Sequence, residues 1–305
     1  MSQQACIEFT NAFYHVCSRG FNKEPIFHED DDYNYFLYLL KKAYMKYNLL
    51  IHSYCLIPNH YHLFLETPNA NLSQAMKFIN ESYAKFFIKK YSNHDGYVFS
   101  RRYRRHVIQE TKYAVKLFLY INGNAVKHKM IASPEGWHWS SWNALTQQDS
   151  SPIFLQNSLF IKHFKSINDF KQQFSNQYNR SWSPETKAVG KTILGDDEFV
   201  QEIIEKYVDL DNENIIGRKE MKQHSQRNTT KRIHKYIKGL DINQNLKQHY
   251  LIYLLLENTN ISRKGLGTQF NLSANALGKR ASRVRQSIQK DSSLKQLLDF
   301  TNVLS

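Results

Sequence analysis

Apolar positions recur with two different periods along the first 130 residues, and each change of period marks a new element. Residues 12–18 (AFYHVCS) form an aromatic and apolar run that reads as a strand, with a turn at Arg19-Gly20. From Asp30 to Tyr47, the positions Phe36, Leu37, Leu40 and Tyr44 follow helical spacing behind an acidic start that suits a helix N-terminus. Residues 49–57 (LLIHSYCLI) and 60–67 (HYHLFLET) read as two strands hairpinned through Pro58-Asn59. Asn71 or Ser73 caps the next helix, which runs to about Tyr91 with Met76, Ile79, Tyr83, Phe86 and Phe87 facing inward. Residues 97–108 (YVFSRRYRRHVI) suit a fourth strand, and a further helix spans about Thr111 to Val126. Strand, helix, strand, strand, helix, strand is the split βαβ order. It predicts an α+β, ferredoxin-like domain: a four-stranded antiparallel sheet with helices on one face.

Beyond this, EGWHWSSW (135–142) is expected to pack the extra helix against the body, and 143–190 reads as irregular with short helices. Residues 190–235 are charged, and 217–235 carry little apolar patterning, which reads as a basic linker. A second module begins near 240. An apolar helix (246–257), ISRKGLGTQF (261–270), a turn at Asn271-Leu272-Ser273 and a basic helix (274–290) give an all-α helix-turn-helix pattern. The expected organisation is therefore a domain over 1–145, a helical extension and linker over 146–239, and a helix-turn-helix module over 240–305.

The formal charge of +14 over 305 residues points to a polyanionic partner, and 41% apolar residues suffice for a real core. With 19 Tyr, 19 Phe and 4 Trp, cations interleaved with rings suit single-stranded nucleic acid, where cations follow phosphates and rings stack on bases. The three cysteines, Cys6, Cys17 and Cys55, include no C-x-x-C pair, which argues against a disulfide framework and fits a reducing cytoplasm. MSQQACIEF lacks a basic stretch followed by an apolar one, so no secretory signal is expected. Apolar runs such as Tyr250 to Leu256 are too short for a bilayer, so no membrane partner is expected.

Candidate chemistry centres on His60 and His62. Side chains at i and i+2 of a strand share a face, so both imidazoles can converge on one metal ion. A bare H-x-H is a weak signal, and its place on a central strand strengthens it. On the helix at 111–126, Tyr120 lies at the edge of the stripe made by Leu117, Phe118 and Ile121, and Asn124 sits one turn later. The hydroxyl of Tyr120 could reach the metal, with an Asn124 oxygen as third ligand. Breaking a phosphodiester needs an in-line nucleophile and neutralisation of phosphoryl charge. A tyrosine phenol can supply the first and a divalent metal the second.

The segments YHVCSRG (14–20), EPIF (24–27), YCLIPNHYHLFLETP (54–68), VFSRRYR (98–104), YINGNAV (120–126) and WHWSSW (137–142) resemble REP-associated tyrosine transposases, which belong to the single-tyrosine HUH transposases of bacterial insertion sequences. The resemblance covers about residues 10–145. It implies a ferredoxin-like HUH domain that cleaves hairpin-bearing single-stranded DNA with Mg²⁺ or Mn²⁺, through a covalent 5′-phosphotyrosine. His60 and His62 would be metal ligands, Tyr120 the nucleophile and Asn124 a third ligand. It also implies a bacterial, nucleoid-associated protein working as a monomer or homodimer. Two departures stand out: the residue between the histidines is Tyr61 rather than aliphatic, and Ala125 replaces the proline common after the asparagine. Neither removes a catalytic group.

DNA-binding candidates are Arg19 after the first strand, Arg101, Arg102, Arg104 and Arg105 around Tyr103, and Lys127 after the catalytic helix. Strand alternation would place 101, 103 and 105 on one face and 102 and 104 on the other. In the second module Lys279, Arg280, Arg283 and Arg285 load the last long helix; Arg280 and Arg283 share a face, and Leu277, Ala281 and Val284 the buried side, as a helix entering a duplex groove requires. Residues 245–298 also loosely resemble the DNA-binding end of bacterial replication initiators. Two functions follow: a metal-dependent DNA strand-transferase, or a non-catalytic regulator that grips hairpins. Retention of His60, His62 and Tyr120 together favours the enzyme.

Overall fold

A computed structural model describes residues 4–92, 96–147, 151–178 and 181–299. The chain forms two compact units, Met1–Arg218 and Lys219–Ser305.

In the first unit, strands β1 (Ala12–Arg19), β2 (Leu50–Ile57), β3 (His60–Thr67), β4 (Arg104–Ile108) and β5 (Ile193–Leu194) build one sheet in the order β2-β3-β1-β4-β5. The first four pair antiparallel, as the split βαβ order demands, and β5 adds a short parallel strand to β4. Helices α1 (Asp30–Tyr47) and α2 (Leu72–Lys90) cover one face, where Phe36 packs on Tyr61 with ring centroids 4.7 Å apart. Asp32, buried in the first turn of α1, ties the two helices together. It accepts from the His28 N–H (2.8 Å), from Lys90 at the end of α2 (2.9 Å) and from Tyr91 (2.8 Å).

The opposite face carries alternate residues of the same strands: His15 and Cys17 on β1, His60, His62 and Phe64 on β3, and His106 on β4. It is closed by α3 (Glu110–Asn122), whose Phe118 meets Phe64 edge-on at 5.4 Å. After Gly123 the helix resumes as α4 (Asn124–Lys127). A Cβ on Gly123 would stand 2.2 Å from the Tyr178 ring, whose hydroxyl donates to the Gly123 carbonyl at 2.6 Å.

The aromatic segment at 135–142 does fasten α3 to the sheet. Trp137 donates to the Leu56 carbonyl (2.9 Å), and Trp139 stacks on Tyr33. Ser141, Ser53 and Asn122 form a closed buried ring of hydrogen bonds at 2.8–3.0 Å, which fixes the end of α3 against β2. Helices α5 (Trp142–Gln147), α6 (Ser158–His163) and α7 (Ile167–Gln177) then bring Phe160, Phe164 and Phe170 against Phe118 and Trp142. Two more helices, α8 (Pro184–Lys187) and α9 (Asp197–Tyr207), flank β5.

Two expectations are corrected. The fourth strand begins at Arg104, so 97–103 is not strand, and alternation says nothing about Arg101 and Arg102. The basic stretch read as a linker is a helix, α10 (Arg218–Gly239), because Met221, Ile233 and Ile237 give it a buried side despite its charge. The second unit packs Ile233 and Ile237 with residues of α11 (Gln244–Asn258), α12 (Arg263–Phe270) and α13 (Ala274–Lys290), and ends in α14 (Ser292–Leu297). Gly267 has a packing reason: a Cβ there would stand 2.6 Å from the Leu272 carbonyl in the turn between α12 and α13. Among the described residues no helix is long and apolar enough to cross a membrane.

Candidate active site

The two-residue turn between β2 and β3 puts His60 and His62 in the register that faces α3, opposite Arg19 and Cys17 of β1. Their ring centroids lie 5.0 Å apart. Each ring spends its Nδ1 on a neighbour: His60 on Asn59 Oδ1 (2.7 Å), His62 on His15 Nε2 (2.9 Å). Neither Nε2 has a hydrogen-bond partner among the described residues.

Burial keeps these rings neutral. It draws His60 down to about 2, helped by His62, His128 and Arg19, and it holds His62 well below the usual imidazole range. His15 falls to about 3 and His106 to about 4, also through burial. Neutral imidazoles with a free lone pair are what a divalent metal needs.

Tyr120 is buried, and its ring meets those of His62 (5.4 Å), His15 (5.7 Å) and Trp182 (5.4 Å) edge-on. Burial first, and the Glu185 carboxylate second, push its phenol well above the ordinary range. The Lys127 ammonium sits 4.9 Å from the ring centroid, a cation–π contact. Asn124 donates through Nδ2 to the Tyr120 carbonyl (3.0 Å), and its Oδ1 is buried with no partner. An amide oxygen without a partner and neutral imidazoles are donor types that suit a divalent cation.

Sequence reasoning gave several neighbours no part in the metal site. The ligand atoms of His15, Cys17 and His62 lie within 4.8 Å of one another, a buried group able to hold a metal. His128 stacks edge-on to His60 at 5.0 Å. Glu185 approaches from α8, its Oε1 3.7 Å from the Cys17 sulfur. Burial raises the Glu185 carboxyl, and a proton taken up by His15, His62 or His106 would pull it the other way, so the carboxylate and the imidazoles are linked. Burial and Glu185 together keep Cys17 a thiol. The i, i+2 pair His15 and Cys17 was as visible in β1 as His60 and His62 in β3. Nothing local marks Trp182 or Glu185.

The basic candidates separate into groups. Arg19 is exposed on β1 opposite His60, and Arg104 is exposed on β4 opposite Cys17, so both border the histidine face. Arg101 and Arg102 are exposed ahead of β4. Arg105 is committed elsewhere, with Nη1 3.0 Å from Glu8 and 3.3 Å from the Tyr103 hydroxyl. In the second unit Lys279 and Arg283 are exposed on α13, while Arg280 donates to Gln248 (3.0 Å). Leu277, Ala281 and Val284 are buried as expected.

Residues 8–124 match the family described as "Transposase IS200 like". The N-terminal domain thus resembles IS200-like transposases. One similar solved structure is that of a REP-associated tyrosine transposase bound to a REP hairpin, at 17% identity and a TM-score of 0.43, covering 52% of this chain and 93% of that one. No curated protein matches the chain.

Proposed function

We propose that the protein is a metal-dependent single-stranded DNA endonuclease and strand transferase acting at hairpin DNA, with Tyr120 as nucleophile and His60, His62 and Asn124 as ligands of Mg²⁺ or Mn²⁺. What supports this reading is a pair of imidazoles with open Nε2 atoms on one strand face, the His62 ring 5.4 Å from that of a buried tyrosine, and an amide oxygen without a partner one turn after that tyrosine. A bound cation would neutralise charge on the phosphoryl oxygens.

The chain's own residues supply the rest. Tyr120 Oη attacks phosphorus and loses its proton. The bond to the 3′-oxygen breaks, leaving a free 3′-hydroxyl on one strand and a 5′-phosphate esterified to the tyrosine. A 3′-hydroxyl attacking that ester re-forms a phosphodiester and returns the phenol. Lys127, over the ring face, adds a positive charge beside the attacking tyrosine. Arg19 and Arg104 border the same face and suit the backbone of the incoming strand. Lys279, Arg280 and Arg283 on α13 suit a duplex groove, and the organisation then has a cutting unit and a locating unit.

The test is incubation with labelled hairpin DNAs and Mg²⁺ or Mn²⁺. A covalent adduct should survive SDS and vanish in Tyr120→Phe. His60→Ala with His62→Ala should abolish cleavage and leave DNA binding largely intact. No adduct across a broad hairpin panel would favour the non-catalytic regulator instead.

A further inference from the structure

Three buried imidazoles stand in line across β3, β1 and β4. His62 Nδ1 is 2.9 Å from His15 Nε2, and His15 Nδ1 is 3.1 Å from His106 Nδ1. The rings stack at 5.1 and 5.3 Å, and each residue is 4% exposed or less. A neutral imidazole carries one N–H, and each nitrogen–nitrogen contact needs one shared proton. Two contacts among three rings therefore allow only two orders, running in opposite directions.

In one order His62 Nδ1–H donates to His15 Nε2, His15 Nδ1–H donates to His106 Nδ1, and His106 keeps its proton on Nε2. His62 then offers a lone pair at Nε2. In the reverse order His106 Nδ1–H donates to His15 Nδ1, His15 Nε2–H donates to His62 Nδ1, and the His62 proton sits on Nε2. That order blocks the site.

We propose that His15 and His106 are positioning residues that lock His62 as the Nδ1–H tautomer and aim its Nε2 lone pair at the cation. The inference rests on the metal-site reading of His60 and His62. His60 has the same kind of arrangement, set by a different group. Asn59 Nδ2 donates to the Lys23 carbonyl at 3.1 Å, so Asn59 Oδ1 faces His60 Nδ1, which must bear the proton. Hydrogen bonding of a ligand's other ring nitrogen is what fixes tautomer and aim in metal sites. One ligand is thus set by a turn amide, and the other by a chain of two further histidines.

The tautomers can be read in the metal-free full chain from long-range ¹H–¹⁵N correlations of the imidazoles, with no variant needed. His60 and His62 should both carry hydrogen on Nδ1, and His106 on Nε2. Hydrogen on Nε2 of His62 overturns the proposal. Mn²⁺ affinity, followed by the EPR signal of the free ion, gives a second readout. His106→Phe and His15→Phe should each weaken it by roughly tenfold or more. His15→Gln, whose amide oxygen can accept from His62 Nδ1, should retain most of it. Loss of affinity in His60→Ala and His62→Ala without loss in His106→Phe overturns the chain alone. Unchanged affinity in all of them overturns the metal-site reading beneath it. Loss of Mn²⁺ binding in Cys17→Ser would mean that His15, Cys17 and His62 ligate the ion together, which also overturns the chain.

Discussion

Trp182 stands edge-on to Tyr120 with ring centroids 5.4 Å apart, so the tyrosine is walled by residues that lie well beyond the ferredoxin-like core. Glu185 follows three positions later and adds a negative charge to the same wall. Burial raises the Tyr120 phenol first, and Glu185 raises it further. Glu185→Gln removes the second cause, so the phenolate becomes easier to form. The pH profile of adduct formation should move to lower pH, by up to about one unit. A profile unmoved in this variant would mean that the carboxylate does not act on the phenol.

Asp32 offers a stability test away from the chemistry. Burial raises its carboxyl, but donors from the His28 N–H, Lys90 and Tyr91 outweigh that and hold it below the ordinary range. A lowered folded pKa contributes stability above the unfolded value of about 3.9, and the contribution is lost as pH falls through the folded value. Asp32→Asn should cost about 2–3 kcal/mol at pH 7 in urea unfolding, since it breaks a buried ion pair. The gap to the unmodified protein should close on acidification; a gap constant with pH would refute the assignment.

Arg105 and its neighbours should part company in binding assays. Arg105→Ala breaks the contact with Glu8 and should lower the unfolding midpoint while leaving the salt dependence of hairpin binding unchanged. Arg19→Ala and Arg104→Ala should do the reverse, each reducing the slope of log K against log salt by about 0.7 if one single-strand phosphate contact is lost. Equal effects of all three on the slope would undo the distinction.

On α13, Arg283→Ala should weaken duplex binding and Arg285→Ala should do so far less, because Arg285 is already engaged by Glu257. Fluorescence anisotropy on a duplex panel separates them. Equal losses would mean that the Glu257 contact gives way to DNA.

The ferredoxin-like frame was legible because its strands alternate and its helices keep a 3.6 period. The ends of α1 and β3 fall where the pattern put them. Arg101 and Arg102 misled because a basic run can satisfy a strand template without pairing. α10 was read as a linker because four buried residues in a charged helix of 22 leave only a faint stripe. His60 and His62 were proposed from spacing within one strand, and Tyr120 and Asn124 from spacing along one expected helix, which the structure breaks at Gly123. His106, Trp182 and Glu185 were not, since only the pairing of β4 with β1 and the return of the chain through α8 bring them near.

The Pro58-Asn59 turn that joins the two central strands also constrains how the chain can change in length. Its carbonyls accept from Gly20, Ile26 and Phe27, so the turn is anchored on both sides. Adding or removing one residue there would slip β3 by one position and send both imidazoles to the face beneath α1 and α2. At this hairpin a single codon gained or lost would therefore dismantle the candidate site while leaving the rest of the sheet's composition unchanged.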